Sequence, residues 1–194
     1  MFIIYFNYTK AKRFYKQKTL TVRIIIIGDY AHINELEEEF RMDQDKLTIQ
    51  EWHRKQAIQS FNATWDLIDR TDRTREEDTK MIHTAHASRF HWGEVGTPVN
   101  VGRGEWQISR VYSLIKMGES ALYHAENSLD VCEKNNIADF DLAFAYEALA
   151  RAYMVLNNKE LMNKYLELAR AAVENIEKEE EKKYTLSEIN TIAL

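Results

Sequence analysis

Proline occurs once in this 194-residue chain, cysteine once and glycine six times. Average usage would supply roughly ten Pro and fourteen Gly. An all-β sandwich or barrel needs a turn about every ten residues, so the shortage excludes it and favours long helices with short connections. A single Cys excludes an intramolecular disulfide and fits a reducing, cytoplasmic setting. Positive charge is also scarce. The 26 Lys+Arg against 31 Asp+Glu leave a net charge of -5, which argues against a nucleic-acid partner. No apolar run approaches the ~18 residues of a membrane span, so no membrane partner is expected. What is present is 45% apolar and 11% aromatic residues, enough to exclude wholesale disorder and to build one core.

The rare residues are unevenly placed. Gly93, Gly96, Gly102, Gly104 and Pro98 crowd one twelve-residue stretch. Residues 1–41 also differ from the rest, with seven Lys/Arg and five Asp/Glu. Residues 42–194 keep 19 Lys+Arg and 26 Asp+Glu, a net of -7. The first segment holds the apolar runs Phe2-Ile3-Ile4-Tyr5-Phe6 and Val22 to Ile27, but no signal-peptide order of charge, apolar stretch and cleavage site. Glu37-Glu38-Glu39 shortly before Met42 back-translates to purine-rich text resembling a bacterial ribosome-binding site. Two expectations follow: 1–41 is upstream sequence read in frame, or it is a strand at 22–27 with a short acidic helix. The remainder, 42–194, is expected to be a single helical domain.

Thr48-Ile49-Gln50-Glu51 and Thr74-Arg75-Glu76-Glu77 both have the capping-box spacing. Apolar residues then recur at helical steps: Ile58, Phe61, Trp65 and Ile68, then Met81, Ile82, Ala85 and Phe90. Thr97-Pro98 can open a third helix, although Gly102 and Gly104 favour a later start, near Gly104. A fourth helix follows Gly118, a fifth runs from about Asp139 and a sixth carries Leu161 to Ile176. Asn135-Asn136 and Asn157-Asn158 mark turns between them. Glu177 to Lys183 reads as a solvated helix end or linker, and Thr185-Leu186-Ser187-Glu188 as the cap of a short last helix.

Two segments align at a shift of 41 residues. Ile108, Ser109, Tyr112, Ile115, Ala121, Ala125 and Ser128 match Leu149, Ala150, Tyr153, Leu156, Met162, Leu166 and Ala169. Tyr146, Leu149, Ala150 and Tyr153, with Ala169 in the following helix, resemble the tetratricopeptide repeat. Met162 replaces an expected small residue, and Glu105 stands at the leading aromatic position of the first copy, with Trp106 one residue on. The resemblance covers about 106–177 and implies antiparallel helix pairs stacked as a short right-handed solenoid. It also implies a protein or peptide partner on a concave face. Homo-oligomers are a further expectation, because the end helices of a short stack are left uncovered.

One stretch could carry chemistry. His83, His86, Arg89, His91, Trp92 and Glu94 are followed by Arg103, Glu105 and Trp106. His83 and His86 lie one helical turn apart, and His91 and Glu94 can reach the same side. Three imidazoles and a carboxylate are plausible zinc or iron ligands, although no metalloprotease spacing is present. The competing readings are helix-interface packing with ion pairs, and a polar pocket walled by Trp92 or Trp106. This stretch, with Gly96-Thr97-Pro98 and Gly104 to Arg110, also resembles a group of uncharacterised bacterial repeat proteins, which implies no activity. No catalytic residue is assigned. Ser88 lacks a nucleophile elbow, Cys132 sits on an apolar face, and Gly102-Arg103-Gly104 lacks the rest of a phosphate loop. The expected function is therefore a binding scaffold with no cofactor. The alternative is a metal-binding protein or metal-dependent enzyme built on His83, His86, His91 and Glu94.

Overall fold

Helix starts are set by side chains that cap free amides. Thr48 Oγ1 accepts from the Glu51 amide at 3.2 Å, and the Glu51 carboxylate accepts the Thr48 amide at 2.9 Å. These bonds hold the Glu51 carboxyl below the usual carboxylate range. Thr74 and Glu77 repeat the device, and the Thr97 amide donates to Asn100 Oδ1. The computed structural model describes residues 46–193. The expectations for residues 1–41, and the possible start at Met42, lie outside them.

Among the described residues the chain is all-helical: α1 (Ile49–Ile68), α2 (Arg75–Val95), α3 (Pro98–Leu114), α4 (Gly118–Lys134), α5 (Phe140–Val155), α6 (Lys159–Val173) and α7 (Glu179–Ile189). Two boundaries differ from expectation. α3 opens at Pro98 and takes Gly102 and Gly104 inside it. These glycines are contact points and not breakers. A Cβ on Gly104 would lie 2.8 Å from Arg89 Cδ and 3.3 Å from Arg89 Cα. Gly102 lies against Val131, and its carbonyl accepts from Ser128 Oγ at 3.1 Å. Packing thus outweighs the ~1 kcal/mol propensity cost of each Gly. α7 begins at Glu179, inside the charge run, and places Glu179, Glu180 and Glu181 on its positive end. Thr185 is an interior residue of that helix, its hydroxyl donating to the Glu181 carbonyl.

One turn geometry closes α3, α4 and α5; after α4 it has the bonds Asn136 N to Glu133 O and Ile137 N to Cys132 O, with Asn136 at φ 52°. The α3–α4 turn has the bonds Lys116 N to Ser113 O and Met117 N to Tyr112 O. The α5–α6 turn has Asn157 N to Met154 O and Asn158 N to Tyr153 O. Lys116 and Asn157 both take the left-handed conformation, at φ 64° and 56°. Asn tolerates it better than Lys.

Each hairpin is packed along its length. In the first, Thr64 Oγ1 donates to Thr84 Oγ1 and Ser88 Oγ donates to the Ala57 carbonyl. Successive pairs join through α2 on α3 and α4 on α5. The odd-numbered helices also adjoin in turn, α1 with α3, α3 with α5 and α5 with α7, whereas the backbones of α2, α4 and α6 approach only odd-numbered ones. α5 therefore has α3, α4, α6 and α7 around it. That is why Ala143, Ala145, Ala148, Ala150 and Ala152 are all buried there and why no single apolar stripe is visible in its sequence. Met81, Ile108 and Val111 fill the core of α1, α2 and α3, while Met162, Leu166, Val173 and Ile189 fill that of α5, α6 and α7. Cys132 is core, and burial pushes its thiol up to about 11.

Candidate functional site

The residues singled out in the sequence do not meet in one place. His86 and Arg89 point from α2 into a polar network with α3 and α4. Arg89 Nε donates to Glu105 Oε1 at 2.7 Å, and His124 Nδ1 donates to Glu105 Oε2 at 2.7 Å. His124 stacks on Tyr112 at 5.7 Å, and the Tyr112 hydroxyl is hydrogen-bonded to His86 Nε2 at 3.1 Å. Burial alone would raise the Glu105 carboxyl, but His124 and Arg89 outweigh it and lower it. Burial, with His124 nearby, holds the His86 imidazole below its ordinary value.

Both shifts have the same sign in stability. A depressed carboxyl stabilises the fold above its unfolded value, and that contribution is lost as pH falls through the folded one. A depressed imidazole resists the proton that the unfolded chain takes up below ~6.5. The carboxyl contribution is lost only below ~4.5, so as pH drops from 7.5 to 5.5 the melting temperature should fall through the depressed imidazoles, His86 and also His91. His86→Gln should flatten that fall in melts followed by circular dichroism, and an unchanged slope would refute the assignment.

His91 turns the other way, toward α1, where its Nδ1 lies 2.9 Å from His53 Nδ1. Trp52 packs edge-on against both rings. The four side chains His83, His86, His91 and Glu94 are thus dispersed: His86 goes to α3, His91 to α1, and His83 and Glu94 are exposed. Among the described residues, no three His, Cys, Asp or Glu side chains form a group able to hold a metal ion. Helical periodicity places residues on one side of a helix but does not show which neighbour each ring will meet. Trp92 lies over the α2–α3 turn, where a Cβ on Gly96 would be 3.1 Å from its ring.

Arg103 and Trp106 belong to a third place, the seam of α3, α5 and α7. Arg103 clasps Asp141 with Nε at 2.6 Å and Nη2 at 3.0 Å, over the Phe140 ring. Trp106 Nε1 donates to Glu147 Oε2 at 3.3 Å. Glu147 is 1% exposed and also pairs with Arg151 and Arg110. Arg110 reaches Glu188 at 3.0 Å, and Arg151 donates to the Glu188 carbonyl and Thr191 Oγ1. Beside this network runs a row of rings, one from each odd-numbered helix: Trp65, Trp106, Phe144 and Tyr184, with successive centroids 5.7, 5.0 and 5.8 Å apart. Phe144 is buried and the other three are half-buried.

Sequence reasoning missed His53, His124, Glu147, Arg151 and Glu188. The 41-residue shift held a signal for two of them, since it aligns Trp106 with Glu147 and Arg110 with Arg151. Equivalent positions on adjoining helices face each other, and these pairs share one network.

No helix among the described residues is long and apolar enough to cross a membrane. Comparison with protein-family models, curated proteins and solved structures gave no match.

Proposed function

We propose that this chain is a cytoplasmic binding module of the tetratricopeptide-like kind. It takes an extended protein or peptide segment along the face built by α1, α3, α5 and α7. The row Trp65, Trp106, Phe144 and Tyr184 carries this reading. Rings held in place by packing and by the Trp106–Glu147 bond have little freedom left to lose, so a ligand docking on them gives up little of its binding energy to ordering. Supporting it are the packing of successive helix pairs and the contact of odd-numbered helices with one another. Stacks of this type curve toward the layer that stays in contact, giving a concave surface. Arg103, held by Asp141, stands near the row, and aromatic and Arg side chains dominate binding energy at most interfaces.

A test begins with peptides selected from a random display library against the full chain. Trp65→Ala should weaken the selected peptides by at least ~10-fold, as an anchor worth over 1 kcal/mol would. Tyr123→Ala, an exposed ring on α4, should leave binding unchanged. Failure to select any peptide, or equal loss in both variants, would count against the reading.

A further inference from the structure

We infer that His53 and His91 form a two-histidine site for a divalent transition-metal ion that clips α1 to α2. The observation is geometric. The rings come from different helices, 38 residues apart in sequence, and present the same nitrogen, Nδ1, to each other at 2.9 Å. Two nitrogens bound to one ion at ~2.0–2.1 Å and at right angles are ~2.9 Å apart. A tetrahedral ion would hold them ~3.4 Å apart. In the metal-free chain the 2.9 Å contact is a hydrogen bond, and it holds both Nδ1 atoms within reach of one ion of either geometry, such as Zn(II), Ni(II) or Cu(II).

The rings are placed in advance. Trp52 stands edge-on to both, with centroids 5.1 Å away in each case, and His53 meets His91 at 5.0 Å. Phe90 closes on both His rings from α2, at 6.3 and 5.2 Å. Both imidazoles are only half-buried, so solvent can supply the remaining ligands. No third protein ligand is required, which accords with the absence of a larger donor group among the described residues. Without metal, the two nitrogens share one N–H. On binding, the donor ring moves that proton from Nδ1 to Nε2, both rings stay neutral, and both Nδ1 lone pairs face the ion. His91 is among the metal ligands expected on α2; in this proposal its partner, His53, is on the preceding helix.

The experiment is titration of the full chain, free of any affinity tag, with Ni(II) chloride, followed by calorimetry and tryptophan fluorescence. Binding that involves the pair should quench Trp52, and Trp52→Phe should remove that part of the quench. His53→Ala and His91→Ala should each weaken binding at least ~10-fold, the lower bound for loss of a supporting group around a metal. His83→Ala, on the same helix as His91 and exposed, should bind as the parent does. His53→Phe keeps a ring against Trp52 and removes the nitrogen, so it separates ligation from packing. Helicity and melting in chelator check that each variant is folded. No Ni(II) binding by the parent chain, or affinity unchanged from the parent in the His53→Phe and His91→Ala variants, would overturn the assignment.

Discussion

Replacing Glu147 by Ala should destabilise the protein by about 3–5 kcal/mol, the cost of removing one partner of a buried ion pair. Glu147 is 1% exposed and answers Arg151, itself 7% exposed, and Arg110. The variant leaves two cations to share one remaining carboxylate, Glu188, where water cannot reach them well, and it also leaves Trp106 Nε1 without its acceptor. For a chain of this size the change corresponds to a fall of roughly 10 °C in melting temperature. The loss lies in the unpaired charges more than in the missing contact. Glu147→Leu combined with Arg151→Leu should therefore recover much of it, although the bonds from Arg151 to Glu188 and Thr191 go too. Urea unfolding of the three proteins is the measurement. A double variant no better than Glu147→Ala would mean that the polar contacts to α7, and not charge pairing, hold this seam.

The second large effect is expected at Gly104. Val placed there must push a Cβ against Arg89, with backbone Cα only 3.3 Å away. α2 and α3 would have to separate, and the Arg89–Glu105 bond at 2.7 Å would open with them. Overpacking of this kind costs about 1–3 kcal/mol, and Glu105, which is 7% exposed and would keep only its bond to His124, adds to it. Gly93 is the contrast. It lies in α2 and is exposed, and the nearest atom to an added Cβ is the flexible guanidinium end of Arg89 at 3.1 Å. Gly93→Ala should gain about 0.5–1 kcal/mol from helix propensity. If both substitutions proved neutral in urea melts, Gly104 would not be the crossing point described here.

Local chemistry was legible and distant chemistry was not. The capping boxes at Thr48 and Thr74, the Asn turns and the core position of Cys132 follow from short-range pattern, and the structure has them. Gly102 and Gly104 misled because propensity alone counts against a helix, whereas the close approach of Val131 and Arg89 is a tertiary matter. The start of α7 was hidden in its acidic run, whose charge suits a helix N-terminus as well as it suits a linker. The histidines show the limit most clearly. His86 and His91 lie on one helix, yet their partners, Tyr112 and His53, come from different neighbours. Pattern within a helix cannot choose between two neighbours that both accept a ring.

The central position of α5 also bears on cooperativity. In a simple stack, each repeat feels only the next, and unfolding can proceed from an end by steps. Here Arg110 of α3 reaches past α5 to Glu188 of α7, and Arg151 ties α5 to residues 188 and 191 across 37 and 40 positions of sequence. Opening α7 alone would uncover buried charge on α5, and opening α5 would release α3. The amides of α3, α5 and α7 should therefore share a single opening free energy in native-state hydrogen exchange, behaving as one foldon. Helices from three successive pairs would then unfold as one unit.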